Sequence, residues 1–132
     1  MEKTLVLIKP DAVSKKQVGK IISVYEENRL NIESIKILIP DEVILAKHYR
    51  EHIRKDFYQD LIDFMKSDRV VAMVLSAENA IEKVRKINGK TNPDEAEIGS
   101  IRKSFGTNLT MNAVHGSANP IDAKREIDIW FS

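Results

Sequence analysis

Asn112-Ala-Val-His-Gly-Ser-Ala-Asn-Pro120 holds the end of a strand, a turn and the start of a helix in one short stretch. Ala113-Val-His115 has the length of a minimal strand, and Asn119 before Pro120 reads as an N-cap with proline at the first helical position. His115 then stands where a strand stops and a helix begins. Turn amides and a helix N-terminus present unpaired N–H groups at such junctions and attract anions. A polar turn histidine without a role also fits these residues, so the rest of the chain has to decide.

Working outward, the helix after Pro120 has Ala123, Ile127 and Trp130 on its expected buried side. Before the junction, Gly89 to Asn112 sustains no period apart from one or two helical turns around Ile101 to Phe105, and long loops of this kind are usually functional. Ala80, Ile81, Val84 and Ile87 form the inner stripe of a helix that ends at Asn88-Gly89. Val70 to Leu75 and Thr4 to Ile8 are short apolar runs that read as buried strands. Val18, Ile21, Ile22 and Tyr25 are spaced as one helical stripe ending near Asn28, and β-branched Ile35, Ile37 and Ile39 favour a strand stopped by Pro40. Asp41 is a plausible N-cap for a helix with Val43, Ile44, Lys47, His48 and Tyr49, followed by a second helix with Phe57, Leu61, Phe64 and Met65.

Without the insertions the order is strand, helix, two strands, helix, strand. The expected fold is α+β: a ferredoxin-like βαββαβ sandwich, a four-stranded antiparallel sheet with helices on one face, plus a helical hairpin and a long loop. That architecture hosts many activities and does not select one. With 132 residues, 1–132 reads as a single domain large enough to bury roughly two thirds of its unfolded surface.

There is no cysteine, which excludes disulfides and thiolate metal sites. Together with the absence of a recognisable targeting or membrane-spanning run, this favours a cytoplasmic protein. The 21 basic and 20 acidic residues leave a net charge of +1, so no broad field exists to hold nucleic acid or a membrane. Anions must be met by a few placed cations.

Gly89-Lys90-Thr91 imitates the end of a phosphate-binding loop, but Val84 stands where the first glycine is needed and the segment leaves a helix instead of entering one. His48, Glu51 and His52 imitate a metal motif on one helical face; no third ligand is evident downstream, and a solvated histidine pair is the simpler account. Lys9, Arg85 and Arg102 lie at a strand end, on the helix before the long loop and in that loop. If the strand ends are adjacent they can converge beside His115, and such cations suit a nucleotide's phosphate tail. Phe57 offers a stacking surface for a base or a core contact.

Asn112-Ala-Val-His115-Gly-Ser117 resembles the phosphohistidine signature of nucleoside diphosphate kinases, and the likeness continues along the chain. Thr4 to Ala12 resembles that family's first strand, His48-Tyr49 its helical hairpin, Val70 to Met73 its third strand, Thr91-Asn-Pro93 the start of its long loop, and Glu126 to Phe131 its last helix. The resemblance implies ping-pong transfer of the γ-phosphoryl group of a nucleoside triphosphate to a nucleoside diphosphate through phosphorylated His115. It implies attack by Nδ1, with Glu126 and Ser117 orienting the ring, although the sequence itself cannot select the nitrogen.

By the same likeness Lys9 and Asn112 hold the ribose and help polarise the phosphates, and Tyr49 lies against the transferred group. Arg85, Thr91 and Arg102 bind phosphate oxygens, Phe57 stacks on the base, and Leu61 and Leu109 close an apolar slot around it. Mg2+ is implied as the cofactor, held chiefly by the nucleotide's phosphates and by water. A homo-oligomer is implied, hexamer favoured and tetramer possible, with no nucleic acid or membrane required.

Several positions depart from the family pattern: Tyr58-Gln59-Asp60, Asp68-Arg69, Ile98-Gly99-Ser100, Lys103-Ser104, Met111 and Ala118. None is implied to do direct chemistry. The alternative from another class is a ferredoxin-like nucleotide or nucleic-acid binding module without transfer activity. An RNA-binding sheet would want exposed aromatics on its strands, and Leu5 to Ile8 and Val70 to Leu75 offer none.

Overall fold

A computed structural model describes residues Met1–Ser132. Its centre is strand β1 (Glu2–Ile8), buried from Thr4 onward because it has a strand on each side and helices on both faces. β1 pairs antiparallel with β3 (Val70–Ala77) and with the short β4 (Val114–Gly116), while β2 (Asn31–Leu38) pairs with β3 at the edge. The order β2-β3-β1-β4, all antiparallel, is the four-stranded sheet expected from the element order.

Alternation along β1 divides the core. Val6 and Ile8 point to one face, where Val71, Met73 and Leu75 of β3 meet Ile21 and Tyr25 of α2 (Val18–Glu27) and Ala80 and Val84 of α5 (Ala80–Asn88). Leu5 and Leu7 point to the other face. There they pack with Leu45 of α3 (Glu42–His48), Ile62 and Met65 of α4 (Tyr58–Met65) and Trp130 of α7 (Pro120–Trp130). The crossover helices α2 and α5 share one face, as expected, and the extra helical hairpin with the last helix covers the second. β1 and β3 are apolar at successive positions, so neither face could be left in water without a cost of about 1.5–3 kcal/mol per large side chain.

Other elements follow from local chemistry. Asp41 caps α3 by accepting from the Ile44 N–H at 2.8 Å, and Asn119 caps α7 by accepting from the Asp122 N–H at 2.8 Å, with Pro120 at the first helical position. The sequence reading passed over α1 (Pro10–Ser14), whose five residues are too few to show a helical period. In the long loop, Asn92 caps a turn at Pro93–Glu95 and Ser100 caps α6 (Ile101–Phe105), the helical turns expected there.

Ile35 and Ile37 on β2, and Ile39 beyond it, are 50%, 58% and 58% exposed. Ile35 and Ile37 pair with Met73 and Val71 and so share the α2/α5 side, but those helices do not cover the edge strand. On α7 the buried residues are Ala123, Glu126 and Trp130; Ile127 is only half-buried, so a carboxylate occupies one position of the expected apolar side.

Gly116 sets the approach of α5 to β4. A Cβ there would lie 2.8 Å from Val84 Cγ1 and 3.0 Å from Asn88 Nδ2. Gly116→Ala is expected to lower unfolding stability by about 1–3 kcal/mol, measured by urea denaturation, because the helix would have to move off the strand. Unchanged stability would show that α5 yields without cost.

Candidate active site

The register of β4 on β1 puts His115 opposite Leu7 and Gly116 opposite Val6. Since paired residues share a side of the sheet, His115 joins the face covered by α3 and α7. Glu126, one turn before the end of α7, is 4% exposed and reaches His115 there. Its Oε1 lies 2.9 Å from His115 Nε2 and accepts the Ser117 hydroxyl proton at 2.7 Å. Ser117 Oγ in turn accepts the Leu5 N–H at 3.2 Å, which anchors the chain of hydrogen bonds in the central strand.

Burial alone would raise the Glu126 carboxyl, but the hydrogen bond from His115, the electrostatic pull of the His115 and His48 rings and the Ser117 hydroxyl outweigh it and hold the group at about 2. An ionised carboxylate only accepts, so His115 Nε2 carries the proton and Nδ1 keeps the lone pair. Arg125 adds a cation 3.7 Å from Glu126 Oε2.

His48 packs edge-on against His115, with ring centroids 4.7 Å apart, and accepts the Trp130 indole N–H on Nδ1 at 3.1 Å. It is 6% exposed, which corrects the expectation of a solvated His48/His52 pair. α3 ends at His48 and a separate 3-10 turn follows at Arg50–His52, so the two histidines do not share a helical face. Burial, then His115, Arg125 and Lys9, hold His48 well below the usual histidine range against the opposing pull of Glu126. Tyr49 stacks edge-on against His48, and its hydroxyl is buried with no partner. Burial and Glu126 push that phenol up.

A cavity of about 620 Å³ opens beside His115. Among the residues read from the sequence it is lined by Lys9, Arg85, Thr91, Arg102, Leu109 and Asn112 together with His115. Lys9 Nζ donates to Asn112 Oδ1 at 2.9 Å, and Asn112 Nδ2 donates to the Thr91 carbonyl at 3.0 Å, tying the loop to the junction. Burial, and then the Arg102 charge, lower the Lys9 amine to about 8 despite Asp11. Arg102 Nη1 and Nη2 donate to the Gly89 and Val114 carbonyls, both at 2.9 Å, while its Nε is buried without a partner. Arg102 therefore binds the loop to β4 as well as facing the cavity.

The remaining expected residues lie elsewhere. Ser117 and Glu126 stand behind the histidine and do not line the cavity. Phe57 is 49% exposed at the N-cap of α4, near His52 and beneath the Lys55 amine, instead of in the core. Leu61 packs against the second-face core, whereas Leu109 is 61% exposed at the cavity edge.

The sequence reading missed three contributors. Asn88 lines the cavity and accepts the Tyr25 hydroxyl at 2.6 Å. His48 reads from the sequence only as half of a solvated pair with His52, yet it is buried against His115. Asp11 Oδ2 accepts the Ala113 N–H at 3.1 Å and holds that residue at φ 73° just before β4. A non-glycine residue in the left-handed region costs on the order of 1–3 kcal/mol and persists where the surroundings over-determine it. The one available signal was an acid directly after Lys9-Pro10, at the end of an otherwise apolar strand.

The model of the family described as nucleoside diphosphate kinase matches residues 2–132. A nucleoside diphosphate kinase of Caldanaerobacter subterraneus subsp. tengcongensis is 45% identical over 131 residues, covering 99% of this chain and 94% of that protein. The solved nucleoside diphosphate kinase of Aquifex aeolicus superposes with a TM-score of 0.95 at 39% identity, covering 99% and 95% of the two chains. That of Halobacterium salinarum, solved in complex with CDP, gives 0.95 at 34% identity, covering 99% and 88%.

The carboxylate at the centre of the site has a consequence for acid stability. Glu126 is held at about 2 against 4.5 for a free side chain, so its stabilisation is fully present above about 4.5 and is lost as pH falls through the folded value. Glu126→Gln is therefore expected to flatten the loss of unfolding free energy between about pH 6 and about pH 3. Equal slopes in the two proteins would remove this carboxylate from the acid response.

Proposed function

The chain belongs to the nucleoside diphosphate kinase family and is a phosphotransferase moving the γ-phosphoryl group between nucleoside triphosphates and diphosphates; from that premise we propose that His115 is the group that carries it. The observation that carries this reading is the shared Glu126 Oε1, which accepts from His115 Nε2 and from Ser117 beside a cavity lined by cations. In the first half-reaction the Nδ1 lone pair forms a bond to the γ-phosphorus while the bond to the β–γ bridging oxygen breaks, its electron pair leaving with the nucleoside diphosphate. The ring gains positive charge as the N–P bond forms, and Glu126 opposite Nε2–H stabilises it. The second half-reaction reverses these steps onto another diphosphate.

Lys9, Arg85, Thr91 and Arg102 are the groups that would meet the phosphate oxygens, with Lys9 and Asn112 reaching the ribose. Tyr49 has an unpartnered hydroxyl to offer the transferred group. Phe57 is exposed enough to stack on a base, and with Leu61 and Leu109 it would form an apolar contact that reads no hydrogen-bond pattern. Broad base tolerance follows; a pyrimidine diphosphate of the kind bound to the Halobacterium relative is within it.

The cavity offers one carboxylate, Glu95, among its cations, which suits Mg2+ arriving on the nucleotide's own phosphates and not a protein cage. No helix is long and apolar enough to cross a membrane, and we read 1–132 as one cytoplasmic domain. Exposed Ile35 and Ile37 on the edge strand and Ile98 at 95% exposure support a homo-oligomer, and the family likeness favours a hexamer over a tetramer. The RNA-binding alternative is disfavoured because helices cover both faces of the sheet.

Incubation with ATP and Mg2+, followed by removal of nucleotide, is expected to leave one acid-labile, base-stable phosphoryl group per chain and none on His115→Gly. A label that survives in the variant overturns the assignment. Arg102→Ala is expected to lose about 2–4 kcal/mol of transition-state stabilisation in kcat/KM, as for one preorganised donor. Because Arg102 also ties the loop to β4, its unfolding curve should be measured alongside; unchanged activity in a folded variant removes it from the site.

A further inference from the structure

Three groups of the zinc-ligand type converge on the nucleophile. One ligating atom each from His48, His115 and Glu126 lies within 4.8 Å of the other two, and His48 and Glu126 are buried. Two imidazoles and a carboxylate match the donor set of catalytic zinc sites. Bond lengths of about 2.0–2.2 Å would require only roughly an ångström of closure. A borderline cation shared by His115 and Glu126 would take the Nε2 proton position that the phosphoryl transfer proposed above needs. Mg2+ does not threaten the site, because it prefers oxygen ligands to imidazole.

The group that stands in the way lies outside the trio. Trp130 is fully buried, and its indole Nε1–H donates to His48 Nδ1 at 3.1 Å. A neutral imidazole has one lone pair, so with Nδ1 occupied the ring's proton must sit on Nε2, and neither nitrogen has electrons free for a metal. The contact cannot reverse, because an indole N–H only donates. Rotating His48 toward a metal would leave that donor unpaired in the core. The edge-on packing of His48 between His115 at 4.7 Å and Trp130 at 5.6 Å holds the ring in place, and Arg125 beside Glu126 adds a cation against an incoming one.

We propose that His48, His115 and Glu126 form a latent zinc-class site and that the Trp130 N–H keeps it closed. Trp130 is in this sense a positioning residue: it acts through His48 and reserves the His115–Glu126 pair for a proton. The proposal rests on the phosphohistidine reading only for its purpose, since occupancy by metal can be measured without turnover.

The test titrates Zn2+ into nucleotide-free protein against a competing chromophoric chelator. Trp130→Phe is expected to bind one zinc per chain about ten-fold or more tightly than the unaltered protein, the scale on which groups behind metal ligands act. Adding His48→Gln to Trp130→Phe should abolish that gain. Circular dichroism checks folding. If Trp130→Phe does not fold, 3-benzothienylalanine at position 130 keeps the ring's shape and removes only the N–H, and the same zinc outcomes decide. Equal zinc affinity with and without the donor overturns the proposal, as does a gain that survives His48→Gln. Failure of the unaltered, zinc-free protein to take the phosphoryl label would instead count against the phosphohistidine reading alone and leave the zinc outcomes standing.

Discussion

The pairing of Leu7 with His115 across β1 and β4 places the histidine side chain on the face of the sheet that α3 and α7 cover. A slip of one residue would send it to the opposite face, against α5, and bring Gly116 under α7. The register is held from several directions. The Lys9 N–H donates to the Ala113 carbonyl at 2.8 Å, Asp11 accepts from the Ala113 N–H, and the Ser117 N–H and Leu5 carbonyl close the other end at 3.2 Å. These contacts keep Ala113 in a left-handed conformation that it would not adopt alone.

Given that register, the charges sort themselves by burial. Glu126 lies on the apolar side of α7, where an unpaired carboxylate would be prohibitively costly, and it is tolerated because His115, Ser117 and Arg125 surround it. His48 takes the opposite course and stays neutral between Trp130 and His115. Two histidines in contact thus have distinct environments: one backed by a carboxylate and open to the cavity, the other held by an indole in the core.

The long loop is organised less by its own sequence than by what it touches. Arg102 fastens α6 to the Gly89 and Val114 carbonyls, and Asn112 holds the Thr91 carbonyl. Within Ile98-Gly99-Ser100, a segment that departs from the family pattern, Gly99 takes a positive φ of 92° and Ser100 caps α6, so glycine and serine make the turn. Asp68 accepts the Arg69 N–H at 2.7 Å in another such segment and shapes its turn locally. Ala118 lies exposed at the cavity edge, and nothing in the structure explains its departure from the family pattern.

The order of strands and helices was legible in the sequence because each element states its own period and ends: the runs at Leu5 and Val70, the stripes of α2 and α5, and the caps at Asp41 and Asn119. The junction at His115 was legible through its motif, and the cations Lys9, Arg85 and Arg102 through their places at element ends. The covered second face, the burial of His48, the carboxylate among the apolar positions of α7 and the outward isoleucines of β2 were not. A period gives the direction of a side chain relative to its own backbone, but what lies on that side is supplied by residues far away in the chain. His48 and Trp130 stand 82 positions apart, and Asp11 and Ala113 stand 102 apart. The sequence by itself determined the elements and singled out the histidine proposed as the nucleophile; only the tertiary structure decided which of its nitrogens faces a hydrogen-bond acceptor, because that depends on a carboxylate brought to it by the packing of α7.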